Sequence, residues 1–118
     1  MSINLIQHRG TEIILIDYSH CKVPEETLAV VDESEQFLLD YDGRARVLVD
    51  VTGAPGSSEY MARVKEVGKK TGHKVDKRAI VGITGLKKIL FQGFVRIVKG
   101  NNRSFDTREE AMEFLAAV

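Results

Sequence analysis

Ala45-Arg-Val-Leu-Val-Asp-Val-Thr-Gly-Ala-Pro-Gly-Ser-Ser58 decides the fold. Val47, Leu48, Val49 and Val51 run with almost no polar alternation, the pattern of a strand covered on both faces. Asp50 and Thr52 stand where that strand ends. Gly53, Pro55 and Gly56 make a turn, and Ser57 or Ser58 caps the helix that follows. A strand of this kind belongs inside a parallel sheet, and in open α/β sheets ligands gather at the carboxyl ends of the strands. The stretch therefore predicts both an architecture and the position of a functional surface.

The flanking sequence extends the pattern. Upstream, residues 3–7 and 12–17 read as two strands joined by a turn at 8–11, a hairpin. Pro24 followed by Glu25 and Glu26 marks a helix start: proline's fixed φ suits the first turn, and carboxylates suit the positive end of the helix dipole. That helix runs to about residue 41, with Leu28, Val31, Leu38 and Leu39 on one face, and Asp42-Gly43 ends it. Downstream, a helix over 58–71 carries Tyr60, Val64, Val67 and Thr71 in one stripe, turns Arg63, Lys65, Glu66, Lys69 and Lys70 outward, and stops at Gly72. A polar approach over 74–78 leads into a second buried strand, 79–84, and Gly85 opens a third helix, 86–99. Residues 103–106 form a short edge strand. Asp106-Thr107 with Glu109 and Glu110 then starts a last helix with Ala111, Phe114 and Leu115 inward. The order β-β-α-β-α-β-α-β-α predicts one α/β domain over 1–118. Its sheet is mixed but mainly parallel, with an N-terminal hairpin and four helices.

Composition excludes more than it assigns. The chain has 118 residues, 43% hydrophobic and 29% charged, ordinary proportions for a globular domain. No apolar run approaches the roughly 18 residues of a membrane span, and the N-terminus lacks a signal-peptide plan, so a cytoplasmic protein is expected. Cys21 is the single cysteine, which rules out an internal disulfide. Charge is uneven: residues 17–50 hold nine acids and three bases, net −6, and residues 59–103 hold twelve bases and three acids, net +9. Aromatic residues are not interleaved with those bases, so the basic half reads as solvated helix faces rather than a nucleic-acid platform. His8, His20 and His73 are too scattered for a metal site. Gly82-Ile-Thr-Gly85 has neither the P-loop plan nor the dinucleotide fingerprint, so no cofactor is expected. Asp17 and Asp50 both end strands and would share a polar corner if those strands were neighbours. Turn acceptors are the simpler reading of them than acid–base catalysts.

The third helix carries more apolar surface than a core needs. Leu86, Leu90 and Ile97 form one face, and Phe94, Val98, Phe91 and Val95 extend it past half the circumference. Lys88, Gln92, Arg96 and Lys99 take the rest. A core-facing helix needs an arc of only about 100°. The surplus is expected to cover a neighbouring helix, a second subunit, another protein, or an apolar ligand.

Three segments together resemble a known family. They are Leu48-Val-Asp-Val-Thr-Gly53, Arg78-Ala-Ile-Val-Gly-Ile-Thr-Gly-Leu-Lys-Lys88, and Phe105-Asp-Thr-Arg-Glu-Glu-Ala111 with Phe114-Leu115. In order and spacing the chain resembles the STAS/SEC14-type, SpoIIAA-like group, small bacterial relatives of anti-sigma-factor antagonists. The resemblance implies a mixed sheet with helices packed on it, and a non-enzymatic regulatory or ligand-binding role. In the antagonists a serine after this strand, in an Asp-Ser-Ser-Gly-like turn, is phosphorylated by a partner kinase. Gly56-Ser57-Ser58-Glu59 stands in that place, without the Asp and the Gly, and makes Ser57 and Ser58 the candidate phosphoacceptors. The expected protein is thus a STAS-like binding domain, a homodimer or the partner of another protein. Its surface is built from Asp50, Thr52 and Gly53 with Phe91, Phe94, Val95 and Val98. The alternatives are a carrier of a lipid or small apolar molecule, in keeping with the SEC14 likeness, and a phospho-switch.

Overall fold

A computed structural model describes residues 2–84, 86–98 and 100–117. Gly85 and Lys99, expected at the two ends of the third helix, lie outside the described residues, as do the side chains of Leu86, Leu90 and Ile97. The elements are β1 (Ile3–His8), β2 (Thr11–Asp17), α1 (Pro24–Asp40), β3 (Ala45–Asp50), α2 (Ser58–Thr71), β4 (Val75–Val81), α3 (Leu86–Ile97), β5 (Asn101–Phe105) and α4 (Arg108–Ala116). They form one five-stranded sheet in the order β1-β2-β3-β4-β5, with β1 and β2 antiparallel and every other pair parallel. The segment chosen from sequence is the middle strand.

Because strand order follows chain order, successive crossovers of one hand put α1, α2 and α3 on the same face of the sheet. α4 covers the other face. Side chains alternate across each strand, so neighbours part company. Ile14, Ile16 and Val47 pack under Val30, Val31, Leu38 and Val67. Ile13, Leu15, Leu48, Ala79 and Val81 pack under Ala111 and Leu115. The uneven charge becomes cross-helix pairing: Arg63 of the basic α2 meets Asp32 at 2.8 Å and Glu35 at 2.9 Å on the acidic α1.

Three expectations need correction. Leu39 is 44% exposed, because the inward stripe of α1 runs through Thr27, Val31, Ser34 and Leu38, one position behind it. Gly72 ends α2 as its C-cap, as expected. It stays right-handed and continues into a 3-10 turn, Gly72–Lys74. β4 begins at Val75 rather than Ala79 and ends at Val81, so residues 82–84 are already loop. The charged residues 76–78 had suggested an approach segment, but inside the sheet their side chains find partners: Lys77 reaches the Phe114 carbonyl at the end of α4, and Arg78 reaches Asn102. β5 likewise starts at Asn101, two residues earlier than expected. No helix among the described residues is long and apolar enough to cross a membrane.

Candidate functional site

The carboxyl ends of β2, β3 and β4 open beneath the three helices and line a half-open cavity of about 130 Å³. Ile16, Val49, Arg78 and Ile80 of the sheet make its floor. Tyr18, following β2, the loop Ala54-Pro55-Gly56 and Ile83 make its rim. Tyr60, Val64 and Gly68 of α2, with Phe91 and Phe94 of α3, make its walls. Gly68 sets the approach of α3: a Cβ there would fall 2.6 Å from Val98 Cγ2 and 3.1 Å from Phe94 Cε2. Only a residue without a side chain lets the two helices come this close. The Phe91 and Phe94 rings then lie stacked, 6.4 Å apart, at the cavity.

Few polar groups face this apolar space. The Tyr18 and Tyr60 rings meet edge to face at 5.6 Å. Burial, reinforced by the Tyr60 hydroxyl, pushes the Tyr18 phenol well above its ordinary value. Burial carries Tyr60 up to about 12, against the lowering effect of its hydrogen bond with Tyr18. Both remain neutral phenols at neutral pH. The Ser34 and Thr71 hydroxyls donate to the Val31 and Val67 carbonyls of their own helices, each at 2.7 Å. Arg78 is the one charged side chain in the lining among the described residues and is only 7% exposed. Its Nη1 donates to Asn102 Oδ1 at 2.9 Å, and its guanidinium lies 5.4 Å from the Phe94 ring centroid. Burial pulls it down to about 10, so it stays charged at neutral pH. No carboxylate among the described residues pairs with it.

A second cluster occupies the same end of the sheet on the α4 side. Asp17 and Asp50 are register partners across β2 and β3, and Arg108 at the start of α4 bridges them. Arg108 Nε donates to Asp50 Oδ2 at 2.7 Å, and its Nη2 lies 3.4 Å from Asp17 Oδ2. Each carboxylate also closes its own turn, accepting from the amide two residues on: Ser19 at 2.8 Å and Thr52 at 2.9 Å. Burial opposes ionisation of both, but the Ser19 and Thr52 hydrogen bonds and Arg108 outweigh it, so both carboxyls titrate below their ordinary range. This geometry is that of a structural clasp, with every carboxylate already committed.

The pH consequence has a definite sign. A carboxyl whose folded value lies below its unfolded value of about 4 stabilises the fold above that pH, and the gain disappears as pH falls through the folded value. Denaturation curves should therefore show stability falling below about pH 4. Arg108→Met should lower the neutral plateau by about 1–2 kcal/mol, moderated by the arginine's partial exposure. It should also shrink the acid-dependent loss; an unchanged loss would refute the clasp.

The residues singled out from sequence separate into groups. Phe91 and Phe94 line the cavity. Val98 is buried against Gly68 and Val95 is 37% exposed; neither lines it. Asp50 belongs to the clasp, while Thr52 and Gly53 are exposed in the loop above it. Ser57 is the N-cap of α2, its Oγ accepting from the Tyr60 amide at 3.0 Å, and Ser58 is the exposed first residue of that helix. Cys21 is fully buried, and burial together with Glu26 and Asp17 pushes its thiol up, away from reactivity. Sequence reasoning missed Arg78, Tyr18, Tyr60 and Asn102 as site residues. The signal for Arg78 was present: a cation directly before the apolar run 79–81, at a position of the same parity as Ile80.

Over 97% of this chain and 92% of the other, the structure superposes on an uncharacterised protein of the DUF3478 family from Shewanella loihica, described as having a SpoIIAA-like fold. The TM-score is 0.73 and the identity 17%. The fold is SpoIIAA-like. The same SpoIIAA-like arrangement matches an anti-sigma-factor antagonist (STAS) domain protein from Planctomyces limnophilus, with a TM-score of 0.57, 18% identity and 98% of each chain covered. No protein-family model matches the chain, and no curated protein matches it. In this SpoIIAA-like frame the cavity lies where the central strand delivers its turn, against the helix with the widest apolar arc.

Proposed function

We propose that this SpoIIAA-like domain is a non-enzymatic binding domain whose cavity takes a small apolar molecule. The single observation that carries the reading is the cavity itself: about 130 Å³ of mostly apolar space, walled by Phe91 and Phe94. An apolar space of about 150 Å³ is enough to hold a benzene-sized molecule. Water in such a half-open apolar space finds few hydrogen-bond partners, and a ligand that displaces it buries apolar surface. The surplus arc of α3 thereby acquires a role: part of it packs on Gly68 of α2, and part of it faces the ligand. The carboxylates nearby are tied into the clasp with Arg108, which favours binding over acid–base chemistry at this end of the sheet.

Amide NMR of the labelled protein titrated with 1-hexanol or benzyl alcohol tests the reading. Saturable shifts should concentrate at Gly56, Gly68, Ile80 and Phe94. Val64→Phe, which extends a half-buried wall residue into the space, should weaken the interaction at least ~10-fold, the scale of a blocked apolar pocket of this size. Shifts scattered over the surface, or unaltered by Val64→Phe, would overturn it.

A further inference from the structure

Arg78 does not suit a purely apolar ligand. A cation 7% exposed beneath three helices has lost most of its hydration, and no carboxylate of the described residues compensates it. The other polar groups of the cavity cannot neutralise it. Tyr18 and Tyr60 are neutral, and the Ser34 and Thr71 protons are committed to helix carbonyls. Yet the guanidinium is held in place. Asn102 turns its carbonyl oxygen to Nη1, because its amide nitrogen donates to the Val98 carbonyl at 3.1 Å, and the Phe94 ring flanks the guanidinium at 5.4 Å. The result is a fixed, desolvated fork of donors at the floor of an apolar cavity.

Building on the reading of the cavity as a ligand site, we propose that its ligand is an apolar monocarboxylate, with the carboxylate on the Arg78 guanidinium and the hydrocarbon part against Phe91, Phe94 and Ile80. One buried positive charge calls for one negative charge, and the planar guanidinium matches a carboxylate with two parallel hydrogen bonds. A doubly charged phosphate monoester would leave one charge uncompensated in the same apolar space. The volume fits a hydrocarbon part of about six carbons, comparable with the benzene that an apolar cavity of about 150 Å³ accepts. The short-chain acids hexanoate and benzoate are the corresponding probes.

The experiment compares hexanoate with 1-hexanol, and benzoate with benzyl alcohol, by amide NMR titration of the whole protein at pH 7. Wild type should prefer each acid over its alcohol by ~10- to 100-fold, the worth of a charge-assisted hydrogen bond. Arg78→Met should lose that preference and bind the alcohols at least as well as wild type. Arg78→Lys keeps a charge without the fork and should retain a reduced preference, so the comparison survives if Arg78→Met fails to fold. Equal binding of acid and alcohol by wild type overturns the carboxylate proposal while leaving the cavity reading intact. Tighter binding of hexyl phosphate than of hexanoate does the same. Failure of acids and alcohols alike to shift the cavity amides overturns both.

Discussion

Gly82→Ala should lower the unfolding free energy by about 3–5 kcal/mol, the combined scale of a non-glycine residue held in a disfavoured backbone region and of an overpacked contact. Gly82 leaves β4 with φ +93, a conformation that side chains resist. Space is the second obstacle. A Cβ at this position would lie 2.5 Å from the Thr52 amide nitrogen and 2.7 Å from the Thr52 Cα, and would also strike its Oγ1. Backbone cannot swing aside as a flexible side chain can, so the exits of β3 and β4 would have to separate. The Val51 amide, which donates to the Val81 carbonyl at 2.9 Å, would be pulled with them. Gly10→Ala is the control. Gly10 also has a positive φ, +78, but a Cβ there meets nothing within 4 Å, so only the backbone cost of about 1 kcal/mol is expected. Urea denaturation with unchanged m-values measures both. Equal losses at the two sites would show that the close passage over Thr52 is unimportant.

Leu48→Ala should cost about 3–5 kcal/mol, the range for emptying a fully buried leucine site that cannot collapse. Leu48 is completely buried in the central strand and packs with Ile13, Leu15, Ala79, Val81, Ala111 and Leu115. Strands hold this site rigid from both sides and α4 closes it, which leaves little freedom to relax. The substitution also separates stability from binding. Leu48 faces α4, whereas the cavity lies on the opposite side of the sheet, floored by its neighbour Val49. At a temperature where Leu48→Ala is still folded, 1-hexanol should therefore produce the same shifts at Gly68 and Phe94 as in wild type. Thermal unfolding gives the first quantity and amide NMR the second. A loss under 1 kcal/mol would mean that α4 is only loosely held to the sheet.

Much of the architecture is legible without coordinates because local rules and tertiary needs agree along most of the chain. The unbroken apolar run 47–49 is affordable only where both faces of a strand are covered, and β3 is the middle strand. Pro24 with two acids, and Thr107 with Glu110, mark helix starts that the structure keeps at Pro24 and Arg108. Legibility fails where a charged residue is taken into the fold. Lys77 and Arg78 look like a solvated approach in sequence, yet both sit within β4 because partners distant in sequence receive them. Leu39 fails in the opposite sense: an apolar residue is left exposed because the packing stripe of α1 is narrower than its apolar composition.

The candidate site divides in the same way. The position of the turn after β3 and the wide apolar arc of α3 could be read from periodicity, since both are properties of neighbouring residues. That these two features face one cavity depends on Gly68 admitting α3 against α2, a contact between residues some thirty positions apart. That the cavity holds a cation depends on Asn102 and Phe94 gathering around Arg78. The sequence alone determined which segments bury their faces, and hence the order of strands and helices, because burial follows from short-range periodicity. Only the tertiary structure decided what those faces leave uncovered between them. A void and a desolvated charge are sums over distant segments, and no local pattern records them.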